Sequence, residues 1–228
     1  EGMADGEVET RPMEEFSECI RSFVDDGSNE SHRFFLARRT AMEMLVDRGY
    51  VVSTSEIDST LKEFRATYGQ NPDVDRLQVS AAHSSDPSLK MLVKFCNSEV
   101  LKVSGVRMLA SVVAVEGPLT GMILIVRDRV TPQARKALEL LPYDVEVFQI
   151  SDLLVNISKH VAKPKHEILT EEEKQKLLQE YRIEEKQLPR ILKSDAIARY
   201  YGLKKGQLVK VTYEGEIAHN HVTYRCVW

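Results

Sequence analysis

Met122-Ile123-Leu124-Ile125-Val126, then Thr131-Pro132-Gln133-Ala134 opening a run to Leu141, then Val145-Glu146-Val147-Phe148-Gln149-Ile150, is the stretch that decides the fold. An unbroken apolar run of strand length suits a strand buried on both faces. Thr131 is a favourable helix N-cap, and Pro132 suits the first helical position because its missing N–H would find no intrahelical partner there. The pattern predicts a strand over 122–126, a helix over 131–141 and a strand over 145–150. Strand, helix and strand in that order imply a partly parallel sheet covered by helices.

Toward the N-terminus the periodicity extends this unit. Ser104 to Val115 reads as a helix, while Leu77, Val79 and Ala81, then Leu89, Met91, Val93 and Phe95, alternate as strands against Lys90 and Lys94. Phe34, Ala37, Ala41 and Leu45 fall at helical spacing, with Arg38, Arg39, Glu43 and Asp47 to the other side and Gly49 at the stop. A second helix is expected from Ser53, which has capping-box spacing to Glu56, through a face of Ile57, Leu61, Phe64 and Tyr68 to Gly69. Together these predict a helical hairpin. Residues 1–14 are acidic and poor in large apolar groups, and are expected to form a flexible tail.

Toward the C-terminus, Ser151 to Ile157 reads as a short closing helix. His160 to Leu169 carries Pro164 and no sustained period, so the domain boundary is expected there. The division is then 15–159 and 160–228. In the second part Thr170 and Glu173 form a capping box ahead of Leu177, Leu178 and Tyr181. Ser194-Asp195 caps Ala196 to Tyr201, Gly202 suits a left-handed stop, and 208–213 and 222–227 read as strands. The class is α/β in its alternation and α+β overall: a helical hairpin, a mixed sheet with flanking helices, and a small C-terminal α/β domain.

A chain of 228 residues accommodates two such domains. A net charge of −4 argues against a free-standing nucleic-acid binder, which needs a dense basic footprint, so any DNA contact should be local. Cys19, Cys96 and Cys226 are odd in number and far apart, which points to a reducing compartment rather than a disulfide framework or metal pair. No apolar run approaches the ~20 residues that cross a bilayer, and no secretory pattern opens the chain, so a soluble intracellular protein without membrane partners is expected.

Catalytic readings are weak. His219-Asn220-His221 would aim two imidazoles one way on a strand, but zinc wants three or four ligands and none is near in sequence. A nuclease would need converging carboxylates and a lysine. Glu172 with Lys174, and Glu184 with Lys186, stand two apart in a helical context and do not share a face. Asp86 and Glu99 lie nearer the sheet, yet Lys102 breaks the alternation after Glu99. No enzyme site and no cofactor are expected. Gly202-Leu203-Lys204-Lys205-Gly206 lacks the closing Gly-Lys-Ser/Thr of a phosphate loop and reads as a helix stop and a turn.

Two binding features remain. Arg190, Lys193, Arg199, Lys204, Lys205 and Lys210 make a locally basic cluster, either solvated or set against an acidic partner or nucleic acid. The Thr131 helix end, preceded by Arg127 and Arg129, is suited to a backbone phosphate, although ordinary capping explains the same residues.

The order of motifs resembles the fifth subunit of the eukaryotic nuclear DNA-directed RNA polymerases, whose C-terminal domain is similar to a subunit of the archaeal polymerase. The resemblance runs from Ser31 onward. Its residues are Leu45 to Tyr50, Val130 to Ala134, Asp152 to Ile157, His160, Pro164 to His166, Leu188-Pro189-Arg190-Ile191, and Ala198 to Gln207. It implies a noncatalytic subunit in the nucleus: an N-terminal jaw domain with a restriction-endonuclease-like sheet beside downstream double-stranded DNA, and a C-terminal domain anchored to the largest polymerase subunit. The implied DNA-proximal residues are Thr131, Pro132, Gln133 and Ala134, with Gln133 replacing the family's usual serine. The implied partner-binding residues are Pro189, Arg190, Arg199, Tyr200, Gly202, Lys204 and Gly206.

Two departures stand out. Gly215 to His221 replaces the family's usual Ser-Glu-Thr-Ala-Gly-Arg-Tyr, and the chain ends Arg225-Cys226-Val227-Trp228. Both resemble the plant variant serving RNA polymerase V, which acts in RNA-directed DNA methylation and gene silencing. The alternatives are the subunit shared by polymerases I, II and III, and, from another class, a free-standing nuclease, a nucleic-acid-binding regulator or a free adaptor.

Overall fold

The computed structural model describes residues 27–116, 119–213 and 221–228. The expected N-terminal tail, Cys19 and most of the departing segment 215–221 lie outside them.

The first sheet has the order β1-β2-β4-β6, built from β1 (Val79–Ala82), β2 (Lys90–Phe95), β4 (Gly121–Val126) and β6 (Asp144–Gln149). β1 is antiparallel to β2, and β2, β4 and β6 run parallel, with Met91 opposite Gly121 and Gly121 opposite Asp144. β4 is buried along its whole length, as its continuous apolar run predicts. On one face, α1 (Asn29–Asp47) lays Phe34, Ala37, Ala41, Met44 and Leu45 against Met91, Val93, Phe95, Ile123 and Ile125. On the other, α4 (Val103–Glu116) and α5 (Pro132–Glu139) cover Leu124 and Val126 with Val106, Leu109, Ala134 and Leu138. The result is a mixed sheet between helical layers. A two-residue parallel ladder of β3 (Val100–Leu101) and β5 (Arg129–Val130) leads into α5 and was too short for its period to show.

The second sheet has the order β7-β9-β10-β8, from β7 (Lys165–Ile168), β8 (Arg190–Ile191), β9 (Leu208–Tyr213) and β10 (His221–Val227). β10 is antiparallel to β9 and parallel to β8. Its two faces are covered by α6 (Glu171–Tyr181), through Leu177 over Leu208 and Cys226, and by α7 (Ala196–Tyr200), through Ala198 over Val209, Val211 and Val227. The α+β class and the caps at Thr131, Thr170 with Glu173, and Asp195 are as expected.

Several expectations need correction. The second helix is broken into α2 (Thr54–Ile57) and α3 (Leu61–Tyr68). Ser53 makes no cap bond, and the capping box is formed by Thr60 and Glu63 instead, so Asp58-Ser59-Thr60 ends one helix and starts the next. Of the predicted face only Phe64 is buried. The polar side of α1 is not solvated throughout. Arg38 is buried, donating to the Leu77 carbonyl and to Glu56, and buried Glu43 meets Lys159 and Asn156. Lys94 is likewise buried, because both sheet faces are covered, and it reaches Asp75 at 3.3 Å. Residues 151–157 form two 3-10 turns, Ile150–Leu153 and Ile157–Lys159, rather than one helix. The aperiodic stretch 160–169 contains β7, whose edge position needs only one paired side.

Candidate functional site

The predicted site residues fall into three places. The first is the start of α5. β5, paired to β3, sets the chain so that Thr131 donates through both its backbone N–H and its hydroxyl to the Leu101 carbonyl, at 3.1 and 3.3 Å. The same hydroxyl oxygen accepts from the Ala134 N–H at 3.2 Å. Ala134 is fully buried and anchors the turn, whereas Pro132 and Gln133 are exposed. Arg129 is exposed and pairs loosely with Asp128, while Arg127 is drawn to Glu30 at 2.7 Å. A capped, solvent-facing helix end results, with the exposed Arg129 of β5 beside it.

The second place is the joint between the two sheets, and it contains Arg199, Tyr200, Gly202 and Lys204. Arg48, just past the end of α1, donates to the Arg199 and Tyr200 carbonyls at 2.7 and 2.8 Å. These carbonyls lie in the last turn of α7; that of Arg199 also accepts from the Gly202 N–H at 3.0 Å, and a guanidinium from another element completes the cap. The same guanidinium forks onto Glu146 of β6 at 2.9 and 2.7 Å. Arg199 bonds Asp152 and the Val147 carbonyl, at 3.2 and 2.8 Å, and lies over Phe148. It thereby blunts the open edge of β6.

Tyr200 is buried in the first core, 3% exposed. Its hydroxyl donates to Asp47 at 2.7 Å and accepts from Asn156 and Ser158. Burial, then the Asp47 carboxylate, pushes this phenol far above its ordinary value. Gly202 has φ +62°, and a Cβ there would come within 2.8 Å of the Arg48 guanidinium. Lys204 is exposed and pairs with Asp144 at 3.4 Å. The joint was missed by sequence reasoning because Arg48, Glu146 and Tyr200 are far apart in the chain and carry no shared motif.

The third place surrounds β8 and gathers Pro189, Arg190 and Gly206. The Pro189 carbonyl accepts from Cys226 N–H at 2.8 Å, and Gly206, at φ +90°, donates to the Val227 carbonyl at 3.0 Å. Beside them the Trp228 ring lies 3.9 Å from the Arg190 guanidinium carbon and 4.9 Å from Lys205 Nζ. No signal in sequence joins these three, since the parallel β8–β10 pairing is what unites them.

The residues weighed for catalysis do not converge. Asp86 bonds Ser88 within the β1–β2 turn, and Lys174 meets Glu185 and Glu171 rather than Glu172. His219 and Asn220 lie outside the described residues, and His221 packs against Tyr213. Among the described residues no cluster of three His, Cys, Asp or Glu is placed to hold a metal, and no helix is long and apolar enough to cross a membrane.

Comparison with known proteins finds matches in both the N-terminal and the C-terminal part of the chain. Residues 28–113 match the family described as RNA polymerase Rpb5, N-terminal domain, and residues 155–227 match RNA polymerase Rpb5, C-terminal domain. DNA-directed RNA polymerase V subunit 5A of Arabidopsis thaliana is 52% identical, over 92% of this chain and 95% of that protein. Subunit 5B of the same plant, named for polymerases IV and V, is 52% identical over 90% of this chain and 94% of its own length. Subunit RPABC1 of Caenorhabditis elegans, named for polymerases I, II and III, is 34% identical over 89% of this chain and 99% of its own. The chain, on these matches and on the fold that carries them, belongs to the Rpb5 family of DNA-directed RNA polymerase subunits.

Proposed function

We propose that this chain is a noncatalytic subunit of nuclear RNA polymerase V, acting in RNA-directed DNA methylation and transcriptional gene silencing. The observation that carries the choice of polymerase is the 52% identity to polymerase IV and V subunits of a plant, against 34% to the worm subunit named for polymerases I, II and III. In this reading residues 15–159 form a lower jaw beside downstream duplex DNA, and residues 160–228 anchor the jaw to the largest subunit. The exposed Thr131 helix end, with Pro132, Gln133 and Arg129 facing solvent, suits a positioning contact to a backbone phosphate rather than base readout. The net charge of −4 fits a contact shared with other chains.

In the anchor, the residues inferred for partner binding divide their labour. Pro189, Arg190, Lys204 and Gly206 lie at or near the surface and are available to a partner. Arg199, Tyr200 and Gly202 hold α7 on the jaw, so they act by fixing the angle at which jaw and anchor meet.

The test is purification of the tagged protein from plant nuclei and identification of the largest subunit that accompanies it. Polymerase V's largest subunit is expected. Recovery of polymerase II's largest subunit alone would overturn this assignment in favour of the shared subunit, and elution without any large complex would overturn the subunit reading itself.

A further inference from the structure

The basic cluster of the C-terminal domain is only half neutralised. Arg199 pairs with Asp152, Lys204 with Asp144 and Lys210 with Glu167. Arg190, Lys193 and Lys205 have no ion-pair partner among the described residues, and all three are exposed. Two of these, Arg190 and Lys205, are gathered over one indole, Trp228, which is itself 43% exposed. The ring attracts each cation through its negative face, but a neutral ring cannot cancel two positive charges. The charge therefore remains presented to solvent.

The position is rigid. Trp228 N–H donates to the Ile191 carbonyl at 2.9 Å, Lys193 N–H donates to the Trp228 carbonyl at 2.9 Å, and Gly206 N–H donates to the neighbouring Val227 carbonyl at 3.0 Å. Exposed Leu192 adjoins on β8's continuation. An aromatic ring and an arginine held in place beside an apolar side chain have the composition of an interface centre. A nucleobase fits less well, because the Arg190 guanidinium already covers the ring face on which it would stack.

We infer that Arg190, Trp228 and Lys205 form a recognition element for a carboxylate-rich segment of a partner protein. This rests on the reading above, in which the C-terminal domain docks on the largest polymerase subunit, and it assigns an acidic segment to that docking.

Trp228 is the sole tryptophan of the chain, so its fluorescence reports the site directly. The full chain is titrated with a hexaglutamate peptide, with hexaglutamine and a decathymidylate strand in parallel. Hexaglutamate should change the emission to saturation and hexaglutamine should not. Arg190→Glu and Lys205→Glu should each weaken the response about tenfold, with Lys186→Glu as an exposed basic control that leaves it unchanged. The response should also fade as salt rises above ~0.15 M, where screening acts within ~8 Å. A response to the oligonucleotide alone, or a hexaglutamate response indifferent to both variants, overturns the inference.

In nuclear extract, the tagged variants should release the largest polymerase subunit at lower salt than the unaltered chain. Equal retention overturns the recognition element. If the unaltered chain retains no polymerase subunit, the polymerase reading fails instead, and the fluorescence titration still decides the acidic ligand.

Discussion

Arg48 grips Glu146 through both carboxylate oxygens, at 2.9 and 2.7 Å, and with the same guanidinium closes the end of helix α7. The Arg48 side chain is 6% exposed and lies between elements that belong to the two halves of the chain. Glu146 is 31% exposed, so water takes up part of its charge when the arginine is removed, while two carbonyls lose a charged donor. Arg48→Ala should therefore destabilise the protein by roughly 1.5–3 kcal/mol in urea unfolding. Arg48→Lys should recover little of it, since an ammonium cannot serve two carboxylate oxygens and two carbonyls at once.

Gly202 and Gly206, the two left-handed glycines among the described residues of the C-terminal domain, should respond differently to alanine. Gly202 has φ +62° and a Cβ would meet Arg48 at 2.8 Å, whereas Gly206 has φ +90° and nothing within 4 Å. Gly206→Ala should lose only the backbone term, about 1–2 kcal/mol. Gly202→Ala should lose more, and its excess should shrink in an Arg48→Ala background, as a double-mutant cycle would measure.

Glu43 sets an acid limit on the joint. Burial pushes its carboxyl up, but hydrogen bonds from Lys159 and Asn156 and the charges of Lys159 and Arg39 outweigh it and hold the group below its ordinary 4.5. A carboxylate depressed on folding contributes stability that is present above its unfolded value and lost as pH falls through the folded one. Melting curves of the protein and of Glu43→Gln should be furthest apart above pH 4.5 and converge as acid is added below it.

Thr131→Ala should remove the cap on α5 together with the hydroxyl's bond to the Leu101 carbonyl, leaving the backbone bond in place and lowering stability by about 1 kcal/mol. Gln133→Glu, on an exposed position in the first turn of α5, should not lower the melting temperature, since a carboxylate suits a helix N-terminus. In the assembled polymerase it should weaken crosslinking to downstream DNA by like-charge repulsion with phosphate, and unchanged crosslinking would remove this helix end from the DNA path.

Cys96 is buried in the second core and its thiol is pushed up to about 11 by burial. Cys226 is buried too, and burial likewise raises it. Both should resist iodoacetamide at about pH 8 in the native protein and react on unfolding, as peptide mass spectrometry would show.

Local pattern was enough for much of this protein. The apolar run Met122 to Val126, the caps at Thr131, Thr170 and Asp195, and the stop at Gly202 are short-range features, set by residues within a turn of one another. Motif order was enough for the family. What the chain's pattern left open was the fate of its charges. Arg38, Glu43 and Lys94 fall on the polar sides of their periods and are nevertheless buried, because elements distant in sequence close over them and supply their partners.

The same holds for the candidate site. Arg190, Arg199, Lys204 and Lys205 form one basic cluster in sequence, yet the fold commits Arg199 to the β6 edge, pairs Lys204 with Asp144, and leaves Arg190 and Lys205 over Trp228. Sequence by itself determined the long, strongly patterned elements and the family they compose. Only tertiary structure decided which cations are neutralised within the chain and which stay exposed without an ion pair, because a side chain's net charge to the outside depends on the groups that packing brings against it.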